Sequence, residues 1–548
     1  MQRLHTPMQA AQWLKAQSVV ELNANSTYLT ASALQTDSRC VKNGDVFMAW
    51  PGQSFDARHY IEQVLDKGAK GCLVHEDVEV PSSDKASHDI NGSWLDDPRV
   101  AFYPNLKAER GRIASAYFGE PSSQLKVTAI TGTNGKSTCA WWLTQALSHL
   151  GCKSAMAGTL GQGQIKFEDQ QPLGLEDSSS SLTTMEAVEL QACMRKWVNA
   201  GVTHLCMEAS SIGLKEARME GTCIEVGVFT NLTQDHLDYH TSMDEYWAAK
   251  ELLFFQLKPK ASVINLDDSK GAFLYEKLKA QGQVVLGYST QTPAHSSAEL
   301  YAKNIRVVSK DGISPAHPAR QSALHFEVVY QGFSQTFKLA VMGEFNVSNL
   351  LAVVGSLLAL GYSSEAALKG CEQLSAAPGR MQSISLEHSP LVVIDYAHTP
   401  DALEKALSAL KPLTLELGGK LWCVMGCGGD RDQSKRSPMG AKANALADRL
   451  VLTSDNPRYE DAQSIVEQIQ HGVVDQVKVL VEMDRRQAIA LAIQEASHQD
   501  VVLIAGKGHE NYQDIRGVKH EFSDAGVALE CLKKRALDLA KGVRYANA

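Results

Sequence analysis

Several features that mark common protein classes are missing from this sequence. No apolar run approaches the roughly 20 residues that a membrane helix needs, and no run of Lys and Arg marks a nucleic-acid surface in a chain with a formal net charge of −9. The eleven cysteines include no C-x-x-C pair, and the first residues contain no apolar signal segment. These absences favour a cytoplasmic protein in a reducing compartment, without a membrane span, a nucleic-acid partner or a disulfide framework.

The length of 548 residues exceeds what one hydrophobic core usually serves, so several domains are expected. Two stretches rich in Pro, Gly and Ser or Ala, Gly119–Ser123 and Ala376–Arg380, suggest boundaries. We therefore predict domains at residues 1–122, 123–376 and 377–548. The first is expected to be a small α/β unit, in which the polar run from Glu76 to Pro104 is a loop-rich insertion.

The most informative stretch is a short β-branched run, Lys126–Thr131, that ends in Gly132-Thr-Asn-Gly-Lys-Ser-Thr138. A buried strand, a glycine turn and the start of a helix together present backbone N–H groups to an anion. Lys136 would reach the terminal phosphates of a nucleotide, and the hydroxyl of Ser137 or Thr138 would bind Mg²⁺. Ile130 stands where the usual P-loop has Gly, so the loop is shorter than usual. The alternative, a merely structural turn, is disfavoured because strand, loop and apolar helix occur together.

Residues 124–376 alternate strands with helices, which predicts a doubly wound α/β sheet with the glycine turn after its first strand. The predicted strands are Val127–Ile130, Thr203–Glu208, Val226–Thr230 and Ala261–Asn265. Glu208 and Asn231 stand at strand exits, where ligands of such sheets collect. Gly161–Ser181 is polar with little periodicity and is expected to be a mobile loop.

The last third of the chain repeats this pattern and predicts a second open α/β sheet. Its strands are expected at Leu391–Asp395, Leu421–Gly426, Arg449–Thr453 and Val501–Ala505, each followed by glycine or polar residues. The fold class is thus α/β with three domains: a small N-terminal α/β domain, a central P-loop-type ATPase with a doubly wound sheet, and a C-terminal Rossmann-like domain.

A series of motifs then carries a resemblance to a known family. The motifs, in chain order, are Gly132–Thr138, Thr230–His240, Gly343–Asn349, Asp395–Pro400, Gly426–Asp432, Asp455–Arg458 and Gly506–Glu510. With them, the chain resembles the Mur ligase family of ATP-dependent amide-forming enzymes, and among these the members that add the third residue of the peptidoglycan stem peptide. The resemblance covers nearly the whole chain. It implies a UDP-binding, an ATP-binding and an amino-acid-binding domain, and an enzyme that joins its substrates through an acyl phosphate. We expect the protein to be a monomer.

The resemblance also implies sites for ATP and Mg²⁺. The ATP residues would be Gly132, Thr133, Asn134, Gly135, Lys136, Ser137, Thr138, Asn346, Arg380 and Asp395, with His398 near the adenine. The Mg²⁺ ligands would be Ser137, Glu208, His236 and Lys250, the last as a carbamate; the catalytic residues would be Lys136, Glu208, His236 and Lys250. From the residues alone, Lys250 would be an ordinary helix lysine, and the histidines near residue 236 a polar loop or, less favoured without a nearby cysteine, a zinc site.

The substrate residues follow in the same way. The UDP-N-acetylmuramoyl-L-alanyl-D-glutamate residues would be Ser38, Thr183, Thr184, Ser210, Glu216 and Arg218. The family pattern is not fully kept there, since Met185, Ile212 and Glu216 replace its usual residues, and Lys435–Met439 has an extra Ser.

The incoming amino acid would be meso-diaminopimelate, held by Arg431, Asp455, Asn456, Pro457, Arg458, Gly506 and Glu510. The Arg458 guanidinium can pair with a second free carboxylate, which diaminopimelate has and lysine lacks. Glu510 suits the distal ammonium. The plainer interpretation of Asp455–Arg458 is a β-turn.

Two other functions are compatible with parts of the sequence. A folylpolyglutamate synthetase-like enzyme would keep the fold but would need neither the domain around Asp37–Arg39 nor Arg458. A nucleotide-binding scaffold without catalysis would be expected to lack one of the four catalytic residues, and all four are present.

Overall fold

The computed structural model describes residues 2–18, 34–52, 55–76, 93–168, 171–177, 182–291, 298–309, 322–339, 341–475 and 479–540. Their strands form three large sheets, of five, eleven and six strands, and one two-stranded hairpin. The sheets follow one another along the chain and confirm the three-part α/β architecture.

The first sheet is parallel throughout, in the order β1-β5-β4-β3-β2. Its elements are β1 Gln2–Arg3, α1 Pro7–Gln17, β2 Leu34–Gln35, β3 Val46–Ala49, α2 Ile61–Asp66, β4 Gly71–Glu76, β5 Val100–Pro104 and α3 Leu106–Tyr117. Successive residues of β3 enter two separate cores, Val46 and Met48 on one face and Phe47 and Ala49 on the other. Burial on both faces is what a parallel sheet between helices requires.

One expectation for this region is wrong. The predicted insertion 76–104 ends in β5, whose Val100–Tyr103 are buried between β1 and β4, so its last residues belong to the sheet; residues 77–92 lie outside the described part. The predicted linker Gly119–Ser123 lies between α3 and β6 (Lys126–Thr131), and it runs into a 3₁₀ turn, Pro121–Gln124, in which Pro121 and Ser122 are buried. The polar composition of residues 76–104 concealed β5, because the strands that cover it come from other parts of the chain.

The central sheet has the order β16-β15-β14-β13-β12-β11-β6-β10-β7-β8-β9 and is parallel from β14 to β7. Its strands are β6 Lys126–Thr131, β7 Ser154–Gly158, β8 Gly161–Glu168, β9 Gln171–Asp177, β10 His204–Glu208, β11 Val226–Phe229, β12 Ala261–Asn265, β13 Val284–Ser289, β14 Leu300–Ser309, β15 Ser322–Tyr330 and β16 Phe333–Leu339. Its helices are α4 Lys136–His149, α5 Ala187–Asn199, α6 Ser211–Lys215, α7 Met243–Phe255, α8 Ser269–Ala280, α9 Phe345–Ala359 and α10 Ser364–Gly370. The four predicted central strands are confirmed to within one or two residues.

The helices cover both faces of this sheet. Residues of α4 and α9 pack in one core, and residues of α5, α7 and α8 pack in the other. The prediction of a mobile loop at Gly161–Ser181 is wrong, because β8 and β9 form an antiparallel hairpin at the sheet edge. Gly161, Gly163 and Ile165 alternate with polar residues as buried positions, a period of two that the glycines concealed.

The third sheet has the order β17-β18-β22-β19-β20-β21 and is parallel except for β17. Its elements are β17 Gln382–Ile384, β18 Leu391–Asp395, α11 Pro400–Glu416, β19 Leu421–Met425, α12 Arg436–Leu446, β20 Arg449–Leu452, α13 Ala462–Gln470, β21 Val479–Val481, α14 Arg485–Glu495, β22 Val501–Ala505 and α15 Asp524–Ala540. A separate hairpin consists of β23 Tyr512–Ile515 and β24 Val518–Glu521. The four predicted strands are confirmed here too.

No helix in the described residues is long and apolar enough to cross a membrane. All eleven cysteines are free thiols.

Candidate active site

The loop Gly132–Thr138, called here the phosphate loop, leaves β6 in the middle of the central sheet, between β10 and β11. Its glycines are required by space as well as by conformation. Gly132 has φ +144° and Gly135 has φ +88°, and a Cβ on them would collide with Thr230 and Asn349. The loop backbone therefore approaches its neighbours closely and opens towards the N-terminus of α4.

Lys136 is the first residue of α4 and folds back over the loop. Its Nζ donates to the carbonyl oxygens of Gly132 at 3.0 Å and Thr133 at 2.8 Å. Burial lowers its pKa, against the opposing effect of Glu208 and Asp235. The ammonium is thus held over the loop, where a phosphate would replace the carbonyls as its partner.

Lys250 is not the solvated helix lysine that its sequence context suggests. Its side chain is buried, its Nζ donates to Gly132 O at 2.8 Å, and it lies 4.2 Å from the ring centre of Tyr246. Burial and the nearby Lys136 lower its pKa well below the usual range. A buried amine with this bias reacts with carbon dioxide as the neutral base, which agrees chemically with the expected carbamate.

Glu208 ends β10 fully buried. Its Oε1 accepts from the Thr159 backbone N–H at 2.8 Å and its Oε2 from the Thr159 hydroxyl at 3.2 Å. In the described residues no three His, Cys, Asp or Glu side chains are placed to hold a metal. Hard oxygen donors such as Glu208 and Ser137, too few for a closed protein site, fit Mg²⁺, which takes much of its coordination from phosphates and water.

His236 lies beside the buried carboxylate of Asp235. The His236 Nε2 is 3.5 Å from Asp235 Oδ2, and His398, from the third sheet, is 3.6 Å from the same oxygen. Burial would raise the pKa of Asp235, but His398 and His236 hold it well below the usual range. Burial lowers the pKa of His236 to about 4, so its imidazole is neutral near pH 7.

Other contacts join the phosphate loop to the third sheet. Arg380 Nη2 donates to Ser137 Oγ at 3.0 Å, and Asn134 Nδ2 donates to Asp401 Oδ2 at 2.9 Å. Asp395 Oδ2 accepts from the Met381 backbone N–H at 2.8 Å, which fixes the chain next to Arg380.

A cavity of about 350 Å³ lies beside the phosphate loop. Of the predicted ATP residues, those that line it are Asn134, Gly135, Thr138, Asn346, Arg380 and Asp395. His398, expected near the adenine with Asn346, lines a different and larger cavity.

The larger cavity, of about 1060 Å³, lies between the central and third sheets. The predicted substrate and catalytic residues that line it are Thr183, Ser210, Arg218, His236, Arg431, Asp455, Asn456, Arg458, Gly506 and Glu510. The residues expected for the sugar peptide and for the amino acid thus face one space.

The predicted sugar-peptide residues differ in their placement. The Thr184 hydroxyl donates to Glu208 O at 2.9 Å, and Arg218 Nη1 donates to Thr184 O at 3.1 Å, so these residues support the cavity wall. The Glu216 carboxylate accepts from Tyr239 at 2.7 Å and pairs with Lys107 at 3.0 Å. Ser38 lies in the N-terminal unit and lines neither cavity.

The turn Asp455–Arg458 is more than a simple β-turn. Arg458 has φ +51°, and its backbone is held there by the hairpin β23–β24, since its N–H donates to Asp514 O and its carbonyl accepts from Arg516 N. The Arg458 Nη1 donates to Gly429 O at 2.7 Å. Asn456 Nδ2 donates to Glu510 Oε2 at 2.8 Å, which links the two predicted recognition segments.

Sequence reasoning missed residues that sit beneath or between the predicted ones. Thr159 carries Glu208 and also accepts from His509 Nε2, at 2.9 Å. Lys507 lies buried below Asn456 and Glu510. For Thr159 the available signal was its position after a parallel strand; for Lys507 it was an unexplained lysine inside the Gly506–Glu510 motif.

Comparison with known proteins identifies the family in which this arrangement of residues occurs. The model of the Mur ligase middle domain matches residues 130–357, and the model described as Mur ligase, glutamate ligase domain matches residues 379–508. The chain belongs to the Mur ligase family. The matched ranges contain the phosphate loop and most of the lining of both cavities, so the expectation from the motifs is confirmed at the level of the family.

Full-length Mur ligase relatives are similar over nearly the whole chain. The UDP-N-acetylmuramoyl-L-alanyl-D-glutamate–2,6-diaminopimelate ligase of Acidovorax sp. is 41% identical over 97% of this chain and 98% of its own length. The protein of the same name from Coxiella burnetii is 39% identical over 93% of this chain and 98% of its own length.

Solved structures agree with the fold. A structure of a ligase of that name is 31% identical, with a TM-score of 0.60 over 95% of this chain and 99% of its own. The folylpolyglutamate synthase of Mycobacterium tuberculosis has a TM-score of 0.55 at 16% identity, over 73% of this chain and 92% of its own, a likeness of fold alone.

Proposed function

We propose that this Mur ligase joins meso-diaminopimelate to UDP-N-acetylmuramoyl-L-alanyl-D-glutamate at the expense of ATP, as a step of peptidoglycan precursor synthesis in the bacterial cytoplasm. The observation that carries the proposal is the shared larger cavity. Its walls bring His236 and Arg218 of the central unit to face Arg458 and Glu510 of the third. The names of the full-length relatives support the choice of substrates.

The chemistry requires a carboxylate to become electrophilic. Transfer of the γ-phosphoryl group of ATP to the glutamyl carboxylate gives an acyl phosphate and ADP; attack by the amine then forms the amide and releases phosphate. The protein contributes charge neutralisation and positioning to such a transfer. Lys136 supplies a positive charge at the phosphate loop, and Arg380 reaches the loop from the third sheet.

Mg²⁺, when bound, would neutralise phosphate charge next to Ser137, Glu208, His236 and the Lys250 carbamate. Thr159 holds both oxygens of Glu208, so that carboxylate is oriented before any ligand arrives. Asp235 lies beside His236: its Oδ1 accepts from the His236 backbone N–H at 2.9 Å, and its Oδ2 is 3.5 Å from the ring Nε2.

The amine is selected at the other side of the cavity. Arg458 there offers a guanidinium to the distal carboxylate of diaminopimelate, and Glu510 a carboxylate to the distal ammonium. A lysine acceptor has no group to pair with Arg458.

Phosphate release tests the proposal. Purified enzyme with ATP, Mg²⁺ and the UDP-muramoyl dipeptide is offered diaminopimelate, lysine or glutamate, and turnover is expected with diaminopimelate. Turnover with glutamate on a folate substrate instead would favour the folylpolyglutamate-like alternative, and ATP binding without any turnover would favour the scaffold.

A further inference from the structure

Lys507 lies in the turn after β22, directly below the residues expected to hold diaminopimelate. Its side chain has no exposed surface, and it does not line the larger cavity, whereas Asp455, Asn456 and Glu510 do. A buried ammonium is unfavourable unless its three donors and its charge are satisfied. Its partners therefore show what it does.

Those partners are the recognition residues themselves. Lys507 Nζ donates to Asn456 Oδ1 and to Glu510 Oε2, each at 2.9 Å, and lies 3.9 Å from Asp455 Oδ1. Burial would raise the pKa of Asp455, but Lys507 and Arg485 hold it below the usual value. One buried ammonium thus joins both predicted recognition segments, Asp455–Arg458 and Gly506–Glu510.

The contacts fix the amide of Asn456 in one orientation. Two donors converge on its Oδ1, namely Lys507 Nζ and the Asp514 backbone N–H, the latter also at 2.9 Å. The atom facing them must be oxygen, because a lysine ammonium cannot accept. The Asn456 Nδ2 is then directed to Glu510 Oε2 at 2.8 Å.

The contacts also leave one specific oxygen of Glu510 available. Its Oε2 accepts from both Lys507 and Asn456, while Oε1 has no donor within the described part of the chain. A carboxylate fixed in this way presents Oε1 to a ligand ammonium without a change of rotamer. Preorganisation of this kind lowers the cost of binding.

The second consequence of the buried Lys507 concerns the net charge of the recognition surface. Asp455 and Glu510 carry two negative charges, and Lys507 cancels one of them from below. Arg458 and Arg431, on the cavity wall, supply positive charge for a carboxylate. The balance suits an acceptor whose far end has both an ammonium and a carboxylate. Without Lys507 the same surface would be more negative and would tolerate an acceptor that ends in an ammonium alone.

We infer that Lys507 is a positioning and specificity residue for the acceptor: it fixes Glu510 and Asn456 and sets the charge that favours diaminopimelate over lysine. This inference rests on the proposed function and names a residue that touches the recognition groups rather than the substrate.

The test is Lys507→Met, which keeps the length of the side chain and removes the charge. The KM for diaminopimelate is expected to rise about tenfold or more, with the KM for ATP changed by less than about twofold. The preference for diaminopimelate over lysine, measured as a ratio of KM or inhibition constants, is expected to fall about fivefold or more. A merely structural role would lower the amount of active enzyme and leave these constants unchanged, and that result would overturn the inference.

Lys519 provides a matched control. It is an exposed lysine that lines the same cavity, with its Nζ 4.3 Å from the ring centre of Tyr512. Lys519→Met removes the same charge without touching Asn456 or Glu510. An equal rise in the diaminopimelate KM for this variant would show that net charge alone matters and would contradict positioning by Lys507.

A double variant covers the case in which Lys507→Met does not fold. The double variant Glu510→Gln, Lys507→Met removes both charges of the pair. It is expected to fold better than a single variant that leaves one of these charges buried without its partner. Its diaminopimelate KM should lie within about threefold of that of Glu510→Gln alone, because Lys507 acts mainly through Glu510. A larger additional rise would overturn the inference. Failure of wild-type enzyme to use diaminopimelate would instead refute the proposed function.

Discussion

The Nζ of Lys250 lies 2.8 Å from the carbonyl oxygen of Gly132, the residue at which the phosphate loop leaves its strand. The contact brings a buried amine from α7 to the base of the nucleotide site, next to Lys136. Two ammonium groups so close together are unfavourable in a buried site. The lowered pKa of Lys250 favours the neutral amine, and its conversion to a carbamate would place a negative charge beside Lys136.

We therefore predict that turnover of the wild type falls when dissolved carbon dioxide is removed and recovers on addition of bicarbonate. Lys250→Ala should lose about 100-fold or more in kcat and should not respond to bicarbonate. Incubation with ¹³C-bicarbonate should give a carbamate signal by NMR in the wild type and none in the variant. An active Lys250→Ala enzyme, or a wild type without this signal, would contradict the assignment.

His509 connects the third sheet to Glu208 through Thr159. Its Nε2 donates to Thr159 O at 2.9 Å, and the same threonine donates twice to Glu208. His509→Leu removes this donor and is expected to lower kcat about tenfold with little change in the KM for ATP, because Glu208 is less firmly placed.

His509→Gln serves as the control, since its amide can donate to the same carbonyl. It should recover most of the lost kcat. Equal activity of the Leu and Gln variants would show that the hydrogen bond to Thr159 does not matter.

Arg458 is expected to discriminate between acceptors. Arg458→Ala should raise the KM for diaminopimelate about 100-fold, the loss of a charge-assisted pair, and change the weak binding of lysine far less. Arg458→Lys should recover little, because a lysine lacks the planar fork and cannot at once pair with the ligand and donate to Gly429 O. The two KM values, measured by phosphate release, check this. An equal rise in the KM for both acceptors would show that Arg458 does not discriminate between them.

The ion pair of Glu460 predicts how the free energy of unfolding depends on pH. It accepts from the buried guanidinium of Arg436 at 2.8 and 2.9 Å, and the hydrogen bonds from Arg436 lower the pKa of Glu460. A carboxyl with a lowered pKa stabilises the folded state fully above its ordinary pKa, and this contribution disappears as the pH falls through the folded-state pKa. Glu460→Gln should therefore cost about 2 kcal/mol at pH 7 and progressively less below about pH 4.5.

The difference in the free energy of unfolding between wild type and Glu460→Gln is measured by urea unfolding at pH values from about 7 to about 3. Glu467→Gln, at an exposed position of α13, should change stability by less than about 0.5 kcal/mol at every pH. A constant destabilisation by Glu460→Gln down to pH 3 would contradict the electrostatic explanation.

The apolar strands and the phosphate loop could be predicted from the sequence because their signals are local. Leu391–Asp395 and Val501–Ala505 are continuous apolar runs between turns, and the structure has strands with those bounds. The β8–β9 hairpin could not, because its buried glycines resemble loop residues until a neighbouring strand is present.

The site shows the same division. Gly132–Thr138 has a chemistry that neighbouring residues define, whereas the burial of Lys250 depends on α7 packing against the loop. The role of Lys507 depends on its contacts with Asp455 and Asn456, which come from a distant part of the sequence. Polar residues with no local signal become interpretable only when the fold supplies their partners.

The central claim is that the muramoyl carboxylate becomes an acyl phosphate, and isotope transfer tests it most directly. The UDP-muramoyl dipeptide, labelled with ¹⁸O in the glutamyl carboxylate, is incubated with ATP, Mg²⁺, diaminopimelate and enzyme, and the released phosphate is analysed by mass spectrometry. Our account predicts one ¹⁸O in each phosphate released with the amide product. Amide product accompanied by phosphate without ¹⁸O would contradict it.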